Sequence, residues 1–284
     1  MIRLGKRGTF ALGVLGALAL GALLAPGIAA LTGYDPQGTD LLKRYLPPSW
    51  DHPLGTDELG RDVAMRLLYG ARVSLAVGLA AALAASTIGT AIGLIAGYLG
   101  GAVDRILMRA TDGVLSLPVL PVLIVLAAVD PAKLGLPQGQ TADLARIVVI
   151  VAAFGWPKVA RLVRGTALAL RERDFVRAAH ALGATRVRIM LAHVLPNCAT
   201  PILVATALAV GGTILYESVL SFLGLGIQPP TPSWGNMLTG AQETIWQAPW
   251  LAIWPGIAIL AAVASVNLLA DAIQDRFDPR IRRQ

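Results

Sequence analysis

A chain of 284 residues that is 55% hydrophobic and only 14% charged has too little polar surface for an ordinary soluble domain, in which about 25% of residues carry charge. Its net charge of +7 would suit a nucleic-acid partner, but aromatics make up only 6% and no basic stretch is interleaved with stacking rings, which argues against such a role. The single cysteine, Cys198, excludes an internal disulfide and a cysteine metal cluster, and reads as a small apolar core residue.

A bilayer core about 30 Å thick needs about 20 mostly apolar helical residues. Six stretches are predicted as spans: 9–31, 74–97, 106–129, 144–159, 201–223 and 249–270. The first follows Arg3, Lys6 and Arg7 and resembles a signal peptide. Its apolar run exceeds the usual signal core of about 7–15 residues, so a retained anchor is expected. Beyond Pro53, Thr56 is placed to cap a helix with Asp57 and Glu58 in its first turn. Leu59, Val63 and Leu67 would share one face, which predicts an amphipathic helix lying on the outer membrane surface. Pro118 and Pro121 are expected to kink the third span. The fourth span is short and ends at Trp156-Pro157-Lys158.

The segment 171–196 is the one large excursion on its side of the membrane. Phe175, Ala178/Ala179 and Leu182 form an apolar stripe at helical spacing. Gly183 interrupts it, and Thr185 can cap a second helix whose face is Val187, Met190/Leu191 and Val194, closed by Pro196. Ala178, Ala179, Ala181 and Ala184 flank this elbow, and small side chains would let a partner approach closely. A loop packed on its own bundle is the alternative, and the residues alone leave both open. In the fifth span, Glu217 is the clearest polar candidate for a pore or gate, with Asn267 and Asp271 late in the sixth. A structural hydrogen bond is the competing role for Glu217, and Gly211-Gly212 would serve close packing or a hinge.

Orientation follows from the basic residues. With the amino terminus in the cytoplasm, 17 of the 24 Lys and Arg fall on cytoplasmic segments, eight of them between Lys158 and Arg188. The first outer segment balances five basic residues with six acids, and the loop 224–248 has no Lys or Arg. The positive-inside rule therefore predicts both termini in the cytoplasm, as an even number of spans requires.

Ala178, Ala179, Gly183, Leu195 and Pro196 resemble the cytoplasmic signature loop of bacterial ABC-importer permeases. The run from His52 to Asp62, then Tyr69 to Leu75, Glu217 to Gly226, Pro232 to Gly235, and the tail from Asn267 to Arg280 are similar to the dipeptide/oligopeptide/nickel importer family, C-type subunit. The resemblance implies an all-α integral membrane protein with the six-helix type I importer fold. It divides the chain into an amino-terminal segment, 1–72, and a permease core, 73–284, carrying a coupling loop at 171–196. It implies that Phe175, Ala178, Ala179, Leu182, Gly183 and Ala184 meet an ATPase partner. The complex would hold a B-type permease, two ATPase subunits and an extracytoplasmic binding protein, and would carry di- or oligopeptides across the inner membrane by alternating access. Nickel chelates or another small solute are the alternative cargo. ATP and Mg²⁺ would bind the partners, and this chain would hold no cofactor and contact only lipid, substrate and subunits. Where the family usually has an acid, this chain has Arg177.

The residues agree that the chain is not the motor, since it contains no G-x-x-x-x-G-K-[ST] phosphate loop. A secondary transporter would show an internal repeat, and none is apparent. An intramembrane enzyme would need catalytic groups within spans, but His52, His180 and His193 all lie outside them.

Overall fold

Long apolar runs have no low-cost alternative to helix in a bilayer, because each backbone amide must be satisfied within its own segment. The computed structural model describes residues 5–35, 37–135, 137 and 139–277, and their regular structure is helical, with one isolated bridge between Thr56 and Asp62. Arg3 and the end of the tail, 278–284, lie outside the described residues. The helices are α1 (Lys6–Thr32), α2 (Val63–Leu99), α3 (Gly101–Ser116), α4 (Val119–Ala128), α5 (Gln140–Arg171), α6 (Asp174–Ala181), α7 (Arg186–Ile189), α8 (Ala199–Phe222), α9 (Ala241–Thr244) and α10 (Trp250–Phe277). Between α7 and α8 the chain stays helical through a π turn, Met190–Val194, and a 3₁₀ turn, Leu195–Cys198.

Four segments are long and apolar enough to cross a membrane: α1, α2, α10, and the run from α7 through α8. A fifth forms if α3 and α4 count as one span, though they bend by 82°. The kink expected at Pro118 is thus a full break, since Leu117 and Pro118 are extended and α4 starts afresh at Val119. The helix over the fourth predicted span is longer than that span. Pro157 is buried inside α5 rather than ending it, and α5 runs on to Arg171. With Arg146, Lys158, Arg161 and Arg164 along its length, α5 is not apolar enough to qualify alone.

Two helix seams define the bundle. On α2, Gly89, Gly93 and Gly97 recur one turn apart, each pressed against the backbone of α5 at Trp156, Ala160 and Arg164 respectively. A Cβ on Gly89 would sit 2.5 Å from the Trp156 carbonyl oxygen, and one on Gly97 would sit 2.6 Å from that of Arg164. Small residues at four-residue spacing permit this approach, which apolar side chains do not drive in lipid. Because residue numbers rise together along both helices, α2 and α5 are parallel. The bent α3–α4 pair therefore carries the chain back between them.

On its other side α2 meets α8 in the antiparallel sense. Ser74 bonds Glu217, Thr213 donates to the Gly78 carbonyl at 2.6 Å, and Ser86 pairs with Thr206 at 2.5 Å. The start of α1 lies beside the end of α10, where Gly5, Lys6 and Arg7 face Asp271, Asp275 and Arg276 across a shared cleft. Consequently the start of α1, the ends of α2, α5 and α10, and the start of α8 share one face of the bundle. Residues 72 and 73, the expected boundary between segment and core, both lie inside α2.

The amphipathic helix expected from Thr56 does not form. Asp62, not Thr56, caps α2, accepting from the Met65 amide at 2.8 Å. Residues before it fold as turns, with Gly55 and Gly60 at φ +81° and +74°. Asp57 accepts from Arg61 Nε at 2.6 Å and lies 3.3 Å from Arg66 Nε, while Asp62 pairs with His52 Nδ1 at 2.9 Å. All five of these residues are buried, so this segment is a packed ionic knot and not a membrane-surface helix. Trp250 closes it by donating from Nε1 to the Thr56 carbonyl at 3.2 Å.

Candidate functional site

The elbow forms for local reasons. After α6, the Gly183 amide donates to the His180 carbonyl and the Ala184 amide to the Ala179 carbonyl, each at 3.0 Å, with Gly183 at φ +81°. This is the left-handed helix stop that glycine favours, with its apolar contact between the small Ala179 and Ala184. Thr185 then caps α7, its hydroxyl accepting from the Arg188 amide at 3.4 Å. A Cβ on Gly183 would meet nothing, so the glycine is needed for its dihedral and not for space.

The predicted stripe divides between two faces. Val176 and Ala179 are buried, packing with Ile189, Val194 and Cys198 onto Leu94 and Tyr98 of α2 and Val163 and Ala167 of α5. Ala184 is partly buried against the same cluster. Phe175 and Ala178 remain exposed, and Leu182 is 87% exposed. Ala179, expected at the partner contact, therefore anchors the elbow to its own bundle. Val187 and Leu191 extend the outer apolar face, at 59% and 55% exposed. Arg173, Arg177, Arg186 and Arg188 are exposed on the same elbow. Arg177 lies 3.3 Å from Glu172, both exposed, a pairing that contributes little to stability.

Of the three polar candidates in the spans, Asp271 lines the cleft beside the start of α1, and Glu217 is packed inside the bundle. Glu217 is fully buried and accepts from Ser74 Oγ at 2.9 Å and Ser221 Oγ at 2.8 Å. Those hydroxyls in turn accept from the amides of Trp234 and Ile227, at 3.1 and 3.0 Å. Trp234 itself is fully buried and donates to the Leu67 carbonyl. Glu217 thus ties α2, α8 and the following loop together. Replacing it with Ala should lower the unfolding midpoint of the purified protein, by an amount equivalent to about 2–3 kcal/mol, because two buried hydroxyls lose their acceptor. Glu217→Gln, which keeps an acceptor, should lose less in the same thermal melt, and equal losses would contradict this assignment. Asn267 is exposed, with its amide oxygen against Gly211 of α8.

A cavity of about 740 Å³ lies between α3, α4, α5 and α8. Its wall runs from Thr200 at the start of α8, on the elbow face, to Tyr216 three-quarters of the way along that helix. Sequence reasoning missed it, because it is lined chiefly by apolar residues such as Leu162, Val204 and Leu208, which carry no cavity signal of their own.

The bundle thus has an open lengthwise cavity and an exposed apolar elbow at one end. Residues 89–283 match the family model for the binding-protein-dependent transport system inner membrane component. The chain belongs to this family. Its members are the permeases of ABC importers, and this chain falls among those of the peptide type. It is 37% identical over 283 residues to a Brucella suis protein named for a peptide transport system permease, covering 99% of this chain and 90% of that one. A second Brucella suis protein, named as a peptide permease, is 39% identical over 249 residues, covering 87% and 79%. The glutathione transport system permease protein of Shigella flexneri is 43% identical over 235 residues, covering 83% and 74%. This permease is accordingly a multi-pass membrane component of an importer and not an enzyme.

Proposed function

We propose that this permease is one of two pore-forming subunits of an ATP-driven importer that carries di- or oligopeptides across the cytoplasmic membrane by alternating access. In this reading it is the C-type subunit, paired with a B-type permease, two ATPase subunits that bind ATP and Mg²⁺, and an extracytoplasmic binding protein. Residues 73–284 form the transport core, behind an amino-terminal segment through Arg72. Six segments cross the membrane: α1, α2, the α3–α4 pair, α5, α8 and α10. The parallel packing of α2 and α5 supports the crossing of α3–α4, and the basic residues clustered on the elbow face support its being cytoplasmic.

The observation that carries the reading is the elbow itself. Phe175, Ala178 and Leu182 present an apolar surface to solvent, on the face where the pore cavity begins. Gly183 holds their shape, while Ala179 and Ala184 transmit movement inward to α2 and α5. An exposed apolar patch on an arginine-rich elbow supports a binding surface there. The peptide assignment rests on the names of the two Brucella relatives, and the Shigella relative agrees, since glutathione is itself a tripeptide.

Copurification and topology test the reading. Affinity-tagged permease should bring down a second permease and an ATPase, and should hydrolyse no ATP when stripped of them. A cysteine replacing Thr239 should react with an impermeant thiol reagent added outside intact cells, and one replacing Leu182 should not. A chain that purifies alone with its own ATP turnover, or reversed labelling, contradicts the reading.

A further inference from the structure

The reading of this chain as a peptide pore leaves open how the pore holds its cargo, and the cavity wall carries an answer that rests on that reading. Among the described residues, Lys158 is the single charged side chain on the wall. It lies on α5 with Arg161 and Arg164 at three-residue intervals, so each neighbours the next along a band that turns about 120° around the helix. Arg164 forms two hydrogen bonds with Asp104 of α3, at 2.5 and 2.6 Å, and Arg161 forms one with Asp112 at 2.5 Å. Moving away from the elbow, the next turn of α3 offers Val114 and Leu115 to the cavity, and no acid. Lys158 therefore ends the ladder without a counter-ion, and among the described residues it makes no ion pair or side-chain hydrogen bond.

Its position makes this costly unless something else is present. Lys158 precedes the end of α5 at Arg171 by 13 residues, about 20 Å along a helix axis. An ammonium on an otherwise apolar wall must face water, protein or an anion, because apolar side chains do not solvate it. Snorkelling along a lipid face does not account for it, since its neighbours Phe154, Gly155 and Leu162 line the same cavity. A volume of about 740 Å³ lies within the range of small-molecule sites, which is about 300–1,000 Å³.

We propose that Lys158 contacts the C-terminal carboxylate of a peptide in transit through this cavity. A lone lysine in an otherwise apolar wall orients a carboxylate end-on. It holds the group through a single compact charge and not through the two-pronged grip of an arginine. That suits a pathway from which the solute must leave as readily as it enters.

The test is uptake into proteoliposomes containing the complete complex, with trialanine and trialanine amide as probes. Lys158→Met should slow trialanine uptake about tenfold, the loss expected for one charge-assisted hydrogen bond, and change amide uptake by less than about twofold. Lys158→Arg should restore most of the trialanine rate. Each variant is compared with the parent complex carrying the same binding protein, so that protein's own preference cancels. Equal losses for both probes would assign the lysine to a lipid phosphate or to assembly and overturn the proposal, as would no loss for either. A parent complex that carries neither probe with ATP sinks the peptide reading and this inference with it. A selective parent with an indifferent Lys158→Met variant sinks this inference alone.

Discussion

Gly93→Leu should abolish recovery of folded permease. A Cβ there already meets the Ala160 carbonyl, with Val163 Cβ 2.9 Å away and the Arg164 amide at 3.0 Å, so two of its three nearest neighbours are backbone. Backbone cannot rotate out of the way, so a leucine must push α5 off α2 along the tightest seam in the bundle. Overpacking of a well-packed site costs about 1–3 kcal/mol where side chains yield, and more is expected here. The same face of α5 holds Val163 and Ala167, onto which the elbow packs, so separation would loosen the elbow as well. Gly165→Leu is the matched control, since a Cβ on that exposed α5 glycine meets nothing. Fluorescence-detected size exclusion of the two variants should show a monodisperse peak for Gly165→Leu and little or none for Gly93→Leu. A normal Gly93→Leu peak would mean that α2 and α5 do not pack as described.

Leu182→Glu should leave the protein folded but uncouple it. Leu182 is 87% exposed at the tip of the elbow, so a charge there costs the isolated permease little. At a docked interface, a buried apolar anchor commonly contributes about 2 kcal/mol or more, and a carboxylate in its place is left unsatisfied. Copurified ATPase and ATP-dependent uptake should therefore both fall by at least about tenfold. Val176→Glu makes the contrast, because Val176 is buried on the inner face and its loss should unfold the elbow. Ala179→Trp would not separate these effects, since Ala179 packs inward beside Ala184. If the Leu182→Glu protein holds its ATPase and transports at the parent rate, the outer face of the elbow is not the docking surface.

These two sites differ in how far they could be read from sequence. The elbow was legible because its determinants are local: a glycine stop, a threonine cap and apolar residues at helical spacing, all within about twenty residues. Which alanine faces inward was not legible, since Ala178 and Ala179 are alike in chemistry and only the docking of α6 on α5 separates them. The seam of Gly89, Gly93 and Gly97 was in plain view but silent, because a search for apolar runs weighs glycine as neutral. Its partner, more than sixty residues away, is a stretch of backbone. The segment 52–66 was misread because its acids and arginines pair with one another across turns, at Asp57–Arg61 and His52–Asp62, which makes a polar run buried. Pro157 misled for a related reason. Its ring sits buried inside α5, and the helix continues past it because packing against α2 holds both sides in line.

The claim that joins these parts is that this permease is a passive pore worked by ATP through its elbow. Proteoliposomes holding the full complex, with the binding protein and labelled trialanine outside and ATP inside, measure it directly. The account predicts accumulation that needs ATP hydrolysis, stops when this chain is omitted, and falls at least about tenfold with Leu182→Glu. Accumulation that persists without ATP on an ion gradient, or that survives omission of this chain, would contradict it.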